Sequence, residues 1–331
     1  MLYPFTFKPV FKEVIWGGTG ILPYKGLMPD TRKIGESWEL SAIEGNLSVV
    51  ANGELEGKTI TELIEAFGSS LVGEKILRTF GTQFPLLIKF IDANANLSVQ
   101  VHPNDVLAMK RHRSFGKTEM WYIVKAAPDA VLYSGFSQQV DADEYVRRIA
   151  NNSLMDVLQP YKVKVGDIFF LPAGRVHAIG SGCFIAEIQQ TSDITYRIYD
   201  YNRKDAHGDE RELHTELAKE AIDYTLYQDY QTYYTPTINE ITPLVQSRYF
   251  TTNLLQMTKT ITRDFAMLDS FVIYICTAGM ALLKDDNGNE TPVNQGQTIL
   301  IPAETNSITI EPHSDSTLLE TYINGSFIHT V

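Results

Sequence analysis

One self-match limits what this chain can fold into more than any other feature. Gly166-Asp-Ile-Phe-Phe-Leu-Pro172-Ala-Gly-Arg-Val-His177 lies over Gly296-Gln-Thr-Ile-Leu-Ile-Pro302-Ala-Glu-Thr-Asn-Ser307 at a constant offset of 130 residues. The turn glycine, the apolar run and the Pro-Ala step coincide. A looser echo pairs Met120–Val124 with Val272–Cys276. Repetition at a fixed offset points to two copies of one β-unit. The copies differ at the end, where His177 aligns with Ser307. The first copy carries a polar cluster and the second carries none, so one site per chain is expected.

The rest of the chain agrees with a mainly β fold. After a polar, Tyr-rich stretch over 228–237, read as a linker, short apolar runs follow one another: 250–257, 271–276, 281–284, 297–301, 307–310 and 317–322. Asp286-Asn-Gly288 between two of them is a hairpin signal. Many short strands with Gly and Pro turns predict a sandwich or jelly roll. Helices are few. Thr59-Ile-Thr-Glu62 is a capping box, opening a helix through 63–67, and a second covers 74–80. Others are expected over 106–112 behind Asn104-Asp105, from Asp141 to about 150, and over 212–224 by periodicity. Trp16-Gly17-Gly18 reads as a turn.

Composition bounds the partner. The net charge is −12 over 331 residues, which argues against nucleic acid or an anionic membrane. There is no apolar run of about 18 residues, and the first residues lack the layout of a signal peptide. Cys183 and Cys276 each sit in an apolar run and are expected as free buried thiols. A reducing, cytoplasmic setting fits.

Chemistry concentrates first in Leu97-Ser-Val-Gln-Val-His-Pro103. Strand alternation puts Gln100 and His102 on one face. Buried polar groups need partners, and a metal ion is the partner expected here. His112, His207, His214, His313 and His329 lack such company and read as surface or capping residues.

Gly166-(five residues)-Pro172-x-Gly174-x-x-His177 resembles the second signature of the cupin family, in which the His is a metal ligand. The signature's final Asn is Ser181 here. In place of the first signature's His-x-His and nearby Glu, this chain has Gln100-x-His102 and a late Glu119. Gln-Val-His-Pro, then Lys117-Thr-Glu119-Met-Trp-Tyr, then Pro-Ala-Gly-x-x-His177 together resemble type I phosphomannose isomerases. Pro9-Val-Phe-Lys-Glu-x-Ile-Trp-Gly-Gly18, Gly35-Glu-Ser-Trp38, and Thr195-Tyr-Arg-Ile-Tyr-Asp-Tyr-Asn-Arg203 with Arg211-Glu-Leu-His214 look like the short bacterial branch. The resemblance covers residues 1 to about 225 by motif and the remainder by architecture.

That resemblance implies two cupin barrels (double-stranded β-helices), with a few short helices in and after the first. A catalytic domain would span 1–227. A cupin-like domain lacking metal ligands would span 228–331. It implies one zinc ion per chain, held by Gln100, His102, Glu119 and His177, and interconversion of mannose 6-phosphate and fructose 6-phosphate through a cis-enediolate. Two imidazoles and a carboxylate suit zinc and leave positions open. Gln100, a weak donor, would be the most dispensable.

Arg197 matches the family's catalytic arginine, and Lys117 and Lys89 match lysines of its cleft. Asp193 could orient Arg197. Ser98, Arg203 and Lys204 are the candidates for gripping phosphate. The expected partner is a small sugar phosphate, with neither nucleic acid nor membrane, and no pattern specifies an oligomeric state. Two rivals remain open at this level: an iron-dependent cupin dioxygenase, and a non-catalytic sugar-phosphate-binding cupin.

Overall fold

The computed structural model describes residues 2–204 and 208–325; His207 and His329 lie outside them. The chain is mainly β. In the N-terminal half, a seven-stranded sheet runs in the order Gln231–Thr232, Ile168–Leu171, Glu119–Ala126, Cys183–Gln190, Leu86–Ala93, Val10–Gly18, Ile34–Leu40. Facing it is a five-stranded sheet: Tyr196–Tyr199, Val99–Val101, His177–Ile179, Val131–Phe136, Leu158–Lys162. In the C-terminal half the larger sheet runs Ile241–Gln246, Thr251–Met257, Ser316–Tyr322, Val272–Ala278, Thr298–Ile301, Phe5–Lys8, Val49–Val50. The smaller runs Ile261–Asp264, Ser307–Pro312, Met280–Asp285, Glu290–Asn294.

The offset seen in the sequence is present in the pairing. Ile168–Leu171 lies beside Glu119–Ala126, which lies beside Cys183–Gln190. Thr298–Ile301, Val272–Ala278 and Ser316–Tyr322 repeat that neighbourhood. The register parts company after the Pro-Ala step. His177 pairs with Ser134, and the residue in the corresponding place is Ile308, paired with Asp285. Ser307 is therefore one residue out of phase with His177. Five positions separate Pro172 from His177 and six separate Pro302 from Ile308, and a one-residue slip turns a strand's side chains to the other face. Glu119, opposite Leu171, has Val272, opposite Ile301, as its counterpart. Val272 and Ile308 are both buried in an apolar cluster. Hydrocarbon takes the places of Glu119 and His177 in the second copy. That copy is not without a polar cluster, as expected from sequence: buried Glu320, opposite Tyr274 as Glu187 is opposite Trp121, accepts from Asn253, Arg263 and Tyr274.

The halves are stitched at both ends. Phe5 of the first strand pairs with Leu300. Gln231–Thr232, inside the stretch read as a linker, pairs with Phe169 and Ile168. The outer faces of the two large sheets share one core, with Phe90, Met120, Tyr122 and Ile188 clustered with Phe271, Ile273, Leu300 and Leu319.

Helices follow their caps. The Thr59/Glu62 capping box is formed, Asn104 caps Asp105–His112 and Asp141 caps Ala142–Ala150. The helix expected over 212–224 is shorter, Thr215–Ala221. Its ends are drawn off by tertiary bonds: the His214 amide donates to the Arg197 carbonyl at 2.7 Å and the Asp223 amide to the Gly174 carbonyl at 2.9 Å. Trp16-Gly17-Gly18 is not a turn but the end of a strand. A Cβ on Gly17 would sit 2.5 Å from the Lys33 carbonyl oxygen, so glycine serves close approach there. Cys183 and Cys276 are buried and free. Among the described residues, no helix is long and apolar enough to cross a membrane.

Candidate metal centre

Val99 and Val101 pack into one apolar core with Val176, Ala178, Tyr196 and Ile198, so Gln100 points the other way. Gln100 pairs with His177 on one side and Arg197 on the other, and His177 pairs with Ser134. Directly opposed residues share a face. Arg197, Gln100, His177 and Ser134 thus form a row across the five-stranded sheet. The facing sheet carries Glu119 opposite Gln189, Trp121 opposite Glu187, Glu187 opposite Lys89, and Lys89 opposite Trp38. Two polar rows meet between the sheets.

Where they meet, His102, Glu119 and His177 place one ligand atom each within 4.8 Å of one another. His102 Nε2 is 3.5 Å from Glu119 Oε2 and His177 Nε2 is 3.3 Å from Glu119 Oε1. All three residues are buried. Each ring is held by its other nitrogen. His102 Nδ1 is 2.8 Å from the Ile194 carbonyl, and His177 Nδ1 is 2.9 Å from the Arg175 carbonyl. A carbonyl only accepts, so both Nδ1 atoms carry the proton and both Nε2 atoms present a lone pair inward. Neither Nε2, nor either Glu119 oxygen, has a hydrogen-bond partner. Four orphaned buried acceptors converging on one point are costly unless a cation joins them. The residues fit a divalent metal.

Electrostatics agrees. Burial, then the Lys117 ammonium and the His177 ring, hold His102 well below the usual imidazole range. Burial brings His177 down to about 4. Both rings are neutral, as ligands must be. Burial and then Glu187 push the Glu119 carboxyl upward, against the pull of Lys117, whose Nζ is 3.5 Å away. In chelator-stripped protein the unfolded chain's imidazoles take protons near about 6.5, whereas folded His177 waits until about 4. At both imidazoles the unfolded state binds more protons between those values, while Glu119, raised in the fold, works the other way. Two imidazoles against one carboxyl leave stability falling as pH drops through that window. Urea midpoints at pH 7 and pH 5 check it: a midpoint at pH 5 no lower than at pH 7 would contradict the assignment.

Glu187 and Lys89 form a second buried pair. Lys89 Nζ is 3.3 Å from Glu187 Oε1, 3.6 Å from a Glu36 oxygen and 5.0 Å from the Trp38 ring centre. Trp121 Nε1 donates to Glu187 Oε2 at 2.8 Å. Burial works to lower Lys89, but Glu36 and Glu187 outweigh it and the group is raised. Burial works to raise Glu187, but Lys89 and Lys117 hold it down. Both stay charged. Lys89→Met should cost about 3–5 kcal/mol of unfolding free energy, because it strands a buried carboxylate. Urea denaturation measures it, and a loss under about 1 kcal/mol would show the pair to be dispensable.

The other candidates fall into two groups. Arg197 is half-buried. Its Nη1 donates to the Glu212 carbonyl at 2.9 Å, its amide donates to His214 Nδ1 at 3.1 Å, and its Nε has no partner. Burial, then Arg211, holds its guanidinium below the usual range. Ser98 is buried just before the Gln100 strand. Asp193 is exposed and none of the hydrogen bonds of Arg197 described here goes to it. Arg203 binds Asp200 and the Asn96 carbonyl, and Lys204 is exposed. Asp200 also receives Arg211 bidentately, at 2.7 and 2.6 Å. His112 and His313 are exposed. His214 is half-buried and braces the Arg197 backbone.

Four inward residues were not singled out from sequence: Glu187, Gln189, Trp121 and Ser134. Glu187 carried a signal, a charge in an apolar run at the parity of Ile185.

Two family models match the chain. "Phosphomannose isomerase type I, catalytic domain" covers residues 5–124, and "Mannose-6-phosphate isomerase, cupin domain" covers 240–317. Mannose-6-phosphate isomerase ManA of Bacillus subtilis (strain 168) is 42% identical over 250 residues, 75% of this chain and 77% of that one. Mannose-6-phosphate isomerase of Streptococcus mutans is 37% identical over 226 residues, 67% of this chain and 68% of that one. The crystal structure of the mannose 6-phosphate isomerase from Bacillus subtilis superposes with a TM-score of 0.86 at 33% identity, covering 97% of this chain and 99% of that one. The fold, the buried His/Glu/His cluster and these likenesses lead to one conclusion: the chain is an enzyme of the type I phosphomannose isomerase family, with a cupin-type domain.

Proposed function

We propose that this chain interconverts mannose 6-phosphate and fructose 6-phosphate, moving a proton between C1 and C2 through a cis-enediolate. The observation that carries the reading is the set of orphaned acceptors on His102, Glu119 and His177, with the Lys117 ammonium beside Glu119 and Arg197 further along the His177 sheet row. Those three side chains, with Gln100 from the sheet row of His177, would hold one zinc ion per chain. Zinc has no redox role and supplies Lewis-acid stabilisation of oxygen charge.

The chain's own groups supply the rest. Lys117, buried beside Glu119, would be the group that passes the proton between C1 and C2. Lys89 stays an ammonium between Glu187 and Glu36 and donates to hydroxyls. Arg197 offers its unpartnered Nε and a planar fork to developing oxygen charge or phosphate. Asp193 is a further candidate beside it. Ser98, Arg203 and Lys204 would grip the phosphate.

The repeated strand order supports two cupin barrels, 1–227 catalytic and 228–331 without ligands, with Phe5–Lys8 lent to the second sheet. A cytoplasmic setting suits the two free thiols. The deciding experiment couples fructose 6-phosphate formed from mannose 6-phosphate to a dehydrogenase, alongside metal analysis. Turnover with one zinc per chain is expected. Iron with oxygen uptake would replace the reading with a dioxygenase, and zinc without turnover would replace it with a binding protein. Chelation should abolish turnover and lower the thermal midpoint. Saturating metal at about 100 times its Kd contributes about 2.7 kcal/mol, and zinc should restore both.

A further inference from the structure

Three backbone segments carry the ligands, and they are tied to one another. The Gly174 amide donates to the His102 carbonyl at 2.9 Å and the Lys117 amide to the Pro103 carbonyl at 3.1 Å. The Ala173 amide donates to Thr118 Oγ1 at 3.2 Å. Displacing one segment displaces the others.

Asp105, three residues after His102, is where the C-terminal half reaches this assembly. Its Oδ1 accepts from the Gly116 amide and from Gln190 Nε2, both at 3.0 Å. Its Oδ2 accepts from the Tyr249 hydroxyl at 2.6 Å and faces Arg248 Nη2 at 3.3 Å. Gln190 carries the connection on. Its Oε1 accepts from the Thr118 amide at 2.8 Å, and its own amide donates to the Thr118 carbonyl at 3.1 Å. Thr118 is thus held on both sides, one residue from Glu119. A Cβ on Gly116 would lie 2.6 Å from the Asp105 amide nitrogen, so the 116–119 segment presses directly on Asp105. The tip that reaches over is itself fixed, because Ser247 Oγ accepts from the Tyr249 and Phe250 amides at 3.2 and 3.1 Å.

We propose that the hairpin tip Arg248-Tyr249 is a positioning element for the metal centre, acting through Asp105 and Gln190 on Lys117-Thr118-Glu119. Among the described residues, no hydrogen bond or ion pair joins Arg248 or Tyr249 to His102, Glu119 or His177. They fix one end of a hydrogen-bonded chain whose other end is the peptide beside the carboxylate ligand. Metal sites depend on such outer partners, whose loss typically costs about 10–100-fold in affinity or activity. The C-terminal half thereby tunes a site to which it contributes no ligand. The inference rests on the metal-centre reading above.

Tyr249→Phe keeps the ring and removes one hydroxyl. Zinc titrated into chelator-stripped protein against a competing chelator should bind about 10-fold more weakly than to wild type. Turnover should show lower kcat with KM for mannose 6-phosphate little changed. Asp105→Ala should itself weaken zinc binding, and Tyr249→Phe in that background should add nothing further. Equal zinc affinity in wild type and Tyr249→Phe, with only the thermal midpoint lowered, would reduce the contact to an ordinary interface bond and overturn the proposal. Additive losses in the double variant would also overturn it, since the path would then bypass Asp105. Should Asp105→Ala fail to fold, the Tyr249→Phe titration decides alone. Wild type that binds no zinc would remove the metal centre and this inference together, whereas zinc bound equally by both removes the inference alone.

Discussion

His177→Ala is expected to purify without stoichiometric metal and to lose turnover by about 10³-fold or more. The size follows from the site's construction. His177 Nε2 is one of four partnerless acceptors that converge on one point, and its ring is locked in the donating tautomer by the Arg175 carbonyl. Removing it leaves His102 and Glu119, with only the weak amide donor of Gln100 beside them. Lewis-acid stabilisation worth several kcal/mol disappears with the ion, and each 1.36 kcal/mol is about tenfold in rate. The variant should still fold, because the ring packs edge-on against Trp121 at 5.2 Å but belongs to none of the apolar clusters. Metal analysis, the coupled assay and a thermal melt read the three parts separately. One zinc per chain with wild-type turnover in this variant would remove His177 from the ligand set.

His102 was legible from strand alternation, whereas His177 and Glu119 were legible only because their motifs, taken together, resemble those of a known family. Lys89 entered through the same resemblance, though it also stands as a lone charge in an apolar run, and Glu187 carries that mark too. What could not be read was which strand lies opposite which. The Glu187–Lys89 pair exists because residues 187 and 89 fall opposite each other across two antiparallel strands. Register of that kind is set by loops and core packing distant in sequence. The same limit explains Ser307. Identity letters aligned it with His177, while one additional residue after Pro302 moved Ile308 into the facing position. It also explains the shortened helix at 215–221, whose periodicity extended further than its ends, which the Arg197 and Gly174 carbonyls captured. Periodicity reports which face is apolar. It does not report which tertiary bond ends an element.

Arg197→Ala should keep its metal and lose turnover by about 10²–10³-fold, the usual cost of removing one preorganised donor from developing negative charge. Arg197 stands in the row with Gln100 and His177, yet makes no contact with Glu119 or either imidazole among the bonds described, so the ligand set survives its loss. Its Nη1 is committed to the Glu212 carbonyl while Nε has no partner. A guanidinium fixed on one edge and free on another is oriented before substrate arrives. Arg211 adds repulsion that a bound anion would relieve. Arg197→Lys should recover little, because an ammonium cannot reproduce the planar fork or its fixed direction. Added guanidinium ion should restore part of the activity of Arg197→Ala and none of that of His177→Ala. Retained turnover in Arg197→Ala would take the residue out of the mechanism and leave Lys117 and Lys89 as the cations that act. Metal lost from Arg197→Ala would instead make it a support of the His177 strand, reached across the Gln100 pair.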